Sequence, residues 1–283
     1  MPRATSPEKI AQIRFHGGHC HLVEDPASVY AESARLARQS GGHYLDQFTF
    51  AERATDWRGN NNIAETLFAQ MHREEHPEPR WVVCGAGTGG TSATIGRFIR
   101  YRQLDTRLCV VDPEGSVFFD CFAGGRRDVP AGRPSRVEGI GRARVEPSFV
   151  PELIDRMYRI PDAASMAAAH VLSDLIGRRV GGSTGSNLCG AVQLLHDLQQ
   201  RGEQGTIATL ICDSGQRYAH SCFSEEWLQR QGLDIAPWRA ALEDFLMQGR
   251  WSETLACLSA GPGEKQVCAD GSPTVAIRST SIP

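Results

Sequence analysis

The sequence predicts an α/β fold around a mainly parallel sheet. Helical and short strand-like segments alternate along most of the chain, the pattern of β-α units. Glycine clusters at residues 85–90 and 181–185 stand where helices begin, as they do at tight strand-to-helix joins. The 283 residues suffice for one large core or two smaller ones. A net charge of −3 is too small to suggest a nucleic-acid partner, and no apolar run approaches the roughly 20 residues of a membrane span. Met1 opens onto a polar stretch, not a signal peptide.

In chain order, residues 6–15 read as a helix capped by Thr5 or Ser6, followed by a strand over 19–23. Asp25 and Pro26 start a second helix with Val29, Ala31, Ala34, Leu36 and Ala37 on its apolar face, and Gly41 and Gly42 end it. Residues 43–48 are strand-like. A helix with Ile63, Leu67 and Met71 on one side leads to a strand at 81–84, a helix over 91–102 and a strand at 108–111. Residues 123–134, rich in Gly, Arg and Pro, read as a surface loop. Pro161 and Asp162 open a helix carrying Met166, Ala169, Val171 and Leu175. The second glycine turn, 181–185, feeds a helix through Leu198, and 206–212 is the last clear strand. A helical pair over 237–258 presents Trp238, Leu242, Phe245, Leu246, Trp251 and Leu255. It suits either an intramolecular cap or a dimer contact. From residue 259 the composition turns to Gly, Pro, Ser and Thr, and a disordered tail is expected.

Nine cysteines at scattered spacings include no C-x-x-C pair, and Cys84, Cys109 and Cys212 lie in apolar runs where cysteine behaves as a small hydrophobe. A reduced, cytoplasmic protein is expected. His16, His19 and His21 flank Cys20, but the intervening Gly17 and Gly18 favour a turn into a strand, and no metal site is expected.

The run from Val82 to Thr91 is strand, glycine loop, helix. Gly85, Gly87 and Gly90 satisfy G-x-G-x-x-G, and Asp112 closes the next strand, which would suit a dinucleotide. A tight turn with no ligand is the bland alternative. Thr88 and Thr91 bracket the glycines, however, adding hydroxyls around one compact dianion. A second glycine loop suits a small phosphorylated ring better than an extended dinucleotide.

Four motifs carry a family resemblance. Gly87-Thr88-Gly89-Gly90-Thr91 resembles the phosphate loop of the cysteine synthase and cystathionine β-synthase family, fold type II pyridoxal-phosphate enzymes. Val137-Glu138-Gly139-Ile140-Gly141 resembles the family's V-E-G-I-G, residues 181–186 its pyridine-nitrogen loop, and residues 213–218 its D-S-G-E-R-Y run. The resemblance spans residues 2–228 and implies a three-layer parallel-sheet fold of the tryptophan synthase β-like kind, N-terminally incomplete. Residues 1–50 would be the remnant of the small mobile subdomain, 51–228 the large cofactor-binding domain, and 229–258 a helical extension before the 259–283 tail. The implied cofactor is pyridoxal 5′-phosphate. Its phosphate would meet the N–H groups of Gly87, Thr88, Gly89, Gly90 and Thr91, its ring nitrogen Ser183, and a substrate carboxylate Gln47. A neutral hydroxyl at the ring nitrogen tempers the electron sink and suits β-elimination.

The family's Schiff-base lysine has no counterpart. Of the 30 Lys and Arg residues only Lys9 and Lys265 are lysines, one on a surface helix and one in the tail. The chain is therefore expected to be inactive alone: a truncated product, a pseudo-enzyme kept for binding, or one part completed by another polypeptide. Asn60-Asn61-Asn62, Phe118-Phe119-Asp120, Arg142 and Arg144 resemble the branch that includes bacterial cysteine desulfhydrases. The expected reaction is β-elimination or β-replacement on cysteine or a related β-substituted alanine. Arg142 and Arg144 read as a solvated loop or as contacts to an anionic substrate. Family membership implies a small amino-acid substrate, no membrane or nucleic-acid partner, and a homodimer.

Overall fold

The computed structural model describes residues 1–260 apart from Ala4, Ser6, Pro26, Ala27, Asn60 and Pro134. Ser6 as a cap, Pro26 as a helix start, Asn60 and the tail from residue 261 therefore lie outside the described residues. The chain forms two compact units, Met1–Gln47 and Phe48–Pro283.

In the first unit, α1 (Pro7–Phe15) and α2 (Val29–Ser40) form as the sequence predicts. Gly41 ends α2 in the left-handed conformation at φ 64°, its N–H on the Ala37 carbonyl. The strand expected over 19–23 is reduced to one parallel bridge between Val23 and Pro2, with Val23 N–H on the Met1 carbonyl at 2.9 Å. No described residue of this unit is buried. His21 meets the Glu32 carboxylate at 2.8 Å and the Cys20 thiol faces the Ile10 carbonyl, and among the described residues no cluster of three or more His, Cys, Asp or Glu could hold a metal. Residues 43–48 are not a strand. Asp46 takes φ 41°, which breaks the extended run, and α3 (Gln47–Phe50) follows.

The second unit opens with α4 (Ile63–Met71), capped by Asn62, whose side-chain oxygen accepts from the Ala64 and Glu65 N–H groups at 2.9 and 3.0 Å. Then come β1 (Trp81–Gly85), α5 (Gly90–Arg102), β2 (Arg107–Pro113), α6 (Phe118–Gly124), β3 (Arg156–Ile160), α7 (Asp162–Ile176), α8 (Gly182–Gln200) and β4 (Ile207–Thr209). After β4 follow α9 (Glu225–Arg230), α10 (Ala236–Gln248), α11 (Glu253–Ala256) and β5 (Ser259–Ala260). The sheet order is β4-β1-β2-β3-β5. The first four strands are parallel and β5 is antiparallel to β3, so the expected tail begins with two paired residues.

Alternation along the strands separates the two covering layers. Val82, Cys84, Leu108, Val110 and Met157 face α4, α5 and α6, whereas Trp81, Val83, Cys109, Val111 and Tyr158 face α7, α8 and α10. The buried cysteines behave as hydrophobes, and burial pushes the Cys84 thiol up to about 12. Among the described residues no helix is long and apolar enough to cross a membrane.

Sequence reasoning missed β3. Arg156 and Arg159 interrupt its apolar run, yet their guanidiniums lie over Trp81 and Phe119 while Met157, Tyr158 and Ile160 are fully buried. The last strand is also shorter than the expected 206–212. The glycines at 181–185 are not a loop: only Gly181 precedes α8, and Gly182 to Gly185 are helical. Their smallness serves packing, because a Cβ on Gly185 would lie 1.9 Å from the Ser165 carbonyl oxygen of α7.

The helical pair is a cap within the chain. Leu242, Phe245 and Leu255 are fully buried in the same cluster as α7 and α8, and Trp251 stacks on His196 at 3.9 Å. Phe245→Ala is expected to cost about 3–5 kcal/mol in urea unfolding, whereas Met247→Ala, on the exposed face, should stay within about 0.5 kcal/mol. Equal costs would place the cap outside the core.

Candidate cofactor site

The site lies beyond the carboxyl ends of the parallel strands, where open α/β sheets bind ligands. The loop after β1 passes Gly85, Ala86 and Gly87, and Gly89 caps α5 at φ 93° with no side-chain cap bond. Each glycine is needed for a different contact. A Cβ on Gly87 would sit 2.1 Å from the Gly139 carbonyl oxygen, and one on Gly89 would sit 2.6 Å from the Ser148 carbonyl oxygen. The Gly90 N–H donates to Thr88 Oγ1 at 3.2 Å. This differs from the sequence expectation that the Gly90 amide is free for a phosphate. The Thr88 hydroxyl spends an acceptor lone pair on it and keeps its proton to donate.

Ser183 is in the first turn of α8 and 6% exposed. The start of α8 is tied to the segment after β4: Gly181 N–H donates to the Asp213 carbonyl at 3.3 Å, and Cys212 N–H to Thr184 Oγ1 at 3.0 Å. The Asn187 amide donates to the Leu210 carbonyl at 3.1 Å and to the Cys212 sulfur at 3.4 Å. Tyr218 donates to Asp213 at 2.6 Å. Burial and that carboxylate hold the Tyr218 hydroxyl protonated.

The Val137–Gly141 motif lies between the two glycine segments and touches both. Gly141 N–H donates to the Ala86 carbonyl at 2.8 Å, the Ile140 side chain abuts Gly85, and Val137 abuts Gly182. The structure thus brings together Gly87, Thr88, Gly89, Gly90, Thr91 and Ser183 around one segment. Gln47 stands exposed at the start of α3, as the last residue of the first unit.

A phosphorylated ring fits this donor set. Gly89 gives the first turn of α5 no side-chain cap, and Gly90 N–H is met by Thr88 Oγ1; a Cβ on Gly87 or Gly89 would run into backbone; and two buried acceptors beside α8, Asn187 Oδ1 and Asp213 Oδ1, have no partner among the described residues. A dinucleotide does not fit. Asp112, the carboxylate a ribose would need, is 0% exposed and accepts the Phe119 N–H of α6 at 2.8 Å.

Sequence reasoning placed Arg142 in a solvated loop or against an anionic substrate and left Ser148 unassigned; both are contributors to the site. Arg142 Nε donates to the Gly87 carbonyl at 3.0 Å, and the Ser148 hydroxyl donates to the Thr88 carbonyl. Their partners are 55 and 60 residues away, beyond any local pattern.

Residues 1–213 match the family model described as pyridoxal-phosphate dependent enzyme. The chain is 59% identical over 252 residues to L-cysteine desulfhydrase Cds1 of Mycobacterium tuberculosis, covering 89% of this chain and 68% of that protein. It is 28% identical to cysteine synthase 2 of Schizosaccharomyces pombe and 30% identical to cystathionine beta-synthase of Apis mellifera, in each case over 82% of this chain. It spans 63% and 45% of those two proteins. With the glycine loop after β1, the α8 start and the segment between them in place, the chain belongs to the pyridoxal-phosphate dependent enzymes of the cysteine synthase and cystathionine β-synthase kind.

Proposed function

We propose that the chain holds pyridoxal phosphate for β-elimination or β-replacement on cysteine or a related β-substituted alanine, as the L-cysteine desulfhydrase relative suggests. The observation that carries this is the pair of glycine segments, each packed on one face of Val137–Gly141. The loop N–H groups of Gly87, Thr88, Gly89 and Thr91 and the Thr88 hydroxyl bind the phosphate, with the α5 dipole adding attraction. Ser183 offers a neutral hydroxyl to the ring nitrogen. Gln47 is the residue that the family resemblance gives to the substrate carboxylate. When bound, the group draws electrons from the substrate's α-carbon so that the β-substituent can leave.

Lys9 in α1 is the one lysine among the described residues, and the chain is proposed to hold its cofactor without a covalent bond. Calorimetric titration should show pyridoxal phosphate binding and no NAD binding. Gly87→Ala should abolish the former, because its Cβ meets a carbonyl oxygen at 2.1 Å. Borohydride treatment of the loaded protein should add no mass, and L-cysteine should yield no sulfide from this chain alone. Binding of NAD in place of pyridoxal phosphate would overturn the cofactor; a mass gain or sulfide release would overturn the non-covalent hold.

A further inference from the structure

We propose that residues 142–148 form a clasp that presets the glycine loop for a phosphate monoester, and that Arg142 adds positive charge to that site; this rests on the assignment of the loop to phosphate. In a trans peptide the carbonyl of one residue and the N–H of the next point in opposite directions. Arg142 Nε on the Gly87 carbonyl therefore turns the Thr88 N–H away from the clasp, and the Ser148 hydroxyl on the Thr88 carbonyl does the same for the Gly89 N–H. Two successive donors are fixed before any ligand arrives. Binding then costs less ordering.

The clasp is itself held at several points. Arg142 N–H donates to Ser116 Oγ at 3.0 Å and its carbonyl accepts from Val117 N–H at 2.9 Å, which fixes its backbone to the loop after β2. Its guanidinium stacks over Phe48 at 4.5 Å, and Glu146, fully buried, lies 4.0 Å away. Arg144 contacts the same carboxylate at 3.1 Å, and Arg127 donates to the Glu146 carbonyl at 3.1 Å. Ser148 N–H donates to the Phe48 carbonyl at 3.1 Å. Arg142 remains a third exposed, and its Nη groups make no hydrogen bond to a described residue. Those N–H groups and their charge are the spare capacity that a dianion beside the loop would use. Glu146 offsets part of the cationic charge, and Arg144 supplies a second cation to balance it.

Calorimetric titrations of the intact chain with pyridoxal 5′-phosphate, pyridoxal and inorganic phosphate separate the possibilities. Arg142→Met is expected to weaken pyridoxal phosphate and inorganic phosphate about tenfold and leave pyridoxal unchanged. Arg142→Lys, which keeps the charge and one donor, should recover most of the loss, and Ser148→Ala should show a smaller loss with the same selectivity. Raised salt should narrow the gap between wild type and Arg142→Met. If wild type binds pyridoxal phosphate and Arg142→Met and Ser148→Ala bind it equally well, the clasp is refuted. Equal weakening of pyridoxal would reduce Arg142 to a general structural role and also refute it. If wild type binds neither phosphate compound, the proposed cofactor site itself fails.

Discussion

Gly185→Ala is expected to destabilise the protein by about 3 kcal/mol or more, lowering its melting temperature by about 10 °C. The added methyl would stand 1.9 Å from the Ser165 carbonyl oxygen and 2.7 Å from the Ala169 backbone nitrogen. Both belong to the backbone of α7, and a helix backbone cannot swing aside as a side chain can. The contact also lies beneath the first turns of α8, where Ser165 and Ser186 share a hydroxyl hydrogen bond at 2.7 Å. Pushing the helices apart would therefore break a buried polar pair as well as apolar packing. Gly182→Ala is the internal control. Its Cβ would meet only side-chain atoms at ordinary distance, the Met166 sulfur at 3.4 Å and Val137 Cγ1 at 3.5 Å, so the change should cost less than about 0.5 kcal/mol. Differential scanning calorimetry decides between these: a Gly185→Ala melt within about 2 °C of wild type would show that α7 and α8 tolerate separation.

The second large effect is on pH dependence. Burial raises the Asp112 carboxyl to about 7, with hydrogen bonds from Ser116 and the Phe119 N–H opposing the shift. Its other oxygen has no partner among the described residues. A carboxyl raised on folding is protonated in both states at low pH and carries no penalty there. Between about pH 4 and 7 the unfolded chain releases the proton while the folded one retains it, so stability falls as pH rises. The expected loss approaches about 4 kcal/mol by pH 8, at 1.36 kcal/mol per unit of pKa. Asp112→Asn cannot ionise, keeps an acceptor for Phe119 N–H, and should flatten that part of the curve. Urea midpoints at pH 5 and pH 8 test it: wild type should lose stability between them and the variant should lose far less. Parallel behaviour of the two proteins would mean that Asp112 ionises in the fold at its ordinary value.

Much of the site was legible because its determinants are local. Strand, glycines, hydroxyls and helix follow one another from Val82 to Thr94, and the loop and its place before α5 can be read from that spacing. The Ser183 segment was legible as a motif but not as a conformation. Its glycines answer to α7, a helix that comes earlier in the chain, so composition alone suggested a flexible turn. Strand β3 hid behind Arg156 and Arg159, whose charges are accommodated on aromatic rings and on Asp197 and Asp120. Arg142 reads as a solvated loop residue or a contact to an anionic substrate, and Ser148 carries no reading, because nothing in their own neighbourhood shows that they meet carbonyls of the glycine loop.

The first unit, in which no described residue is buried, has a dynamic consequence. Amide hydrogens are shielded from solvent exchange to the degree that opening them exposes packed surface, and no described residue of α1 or α2 is fully buried. Their amides should exchange through frequent local openings, orders of magnitude faster than those of α7 and α8, which open only when the whole second unit does. One polypeptide would then carry two clocks. A ligand that slows exchange in α1 and α2 would be reporting order that it brought with it.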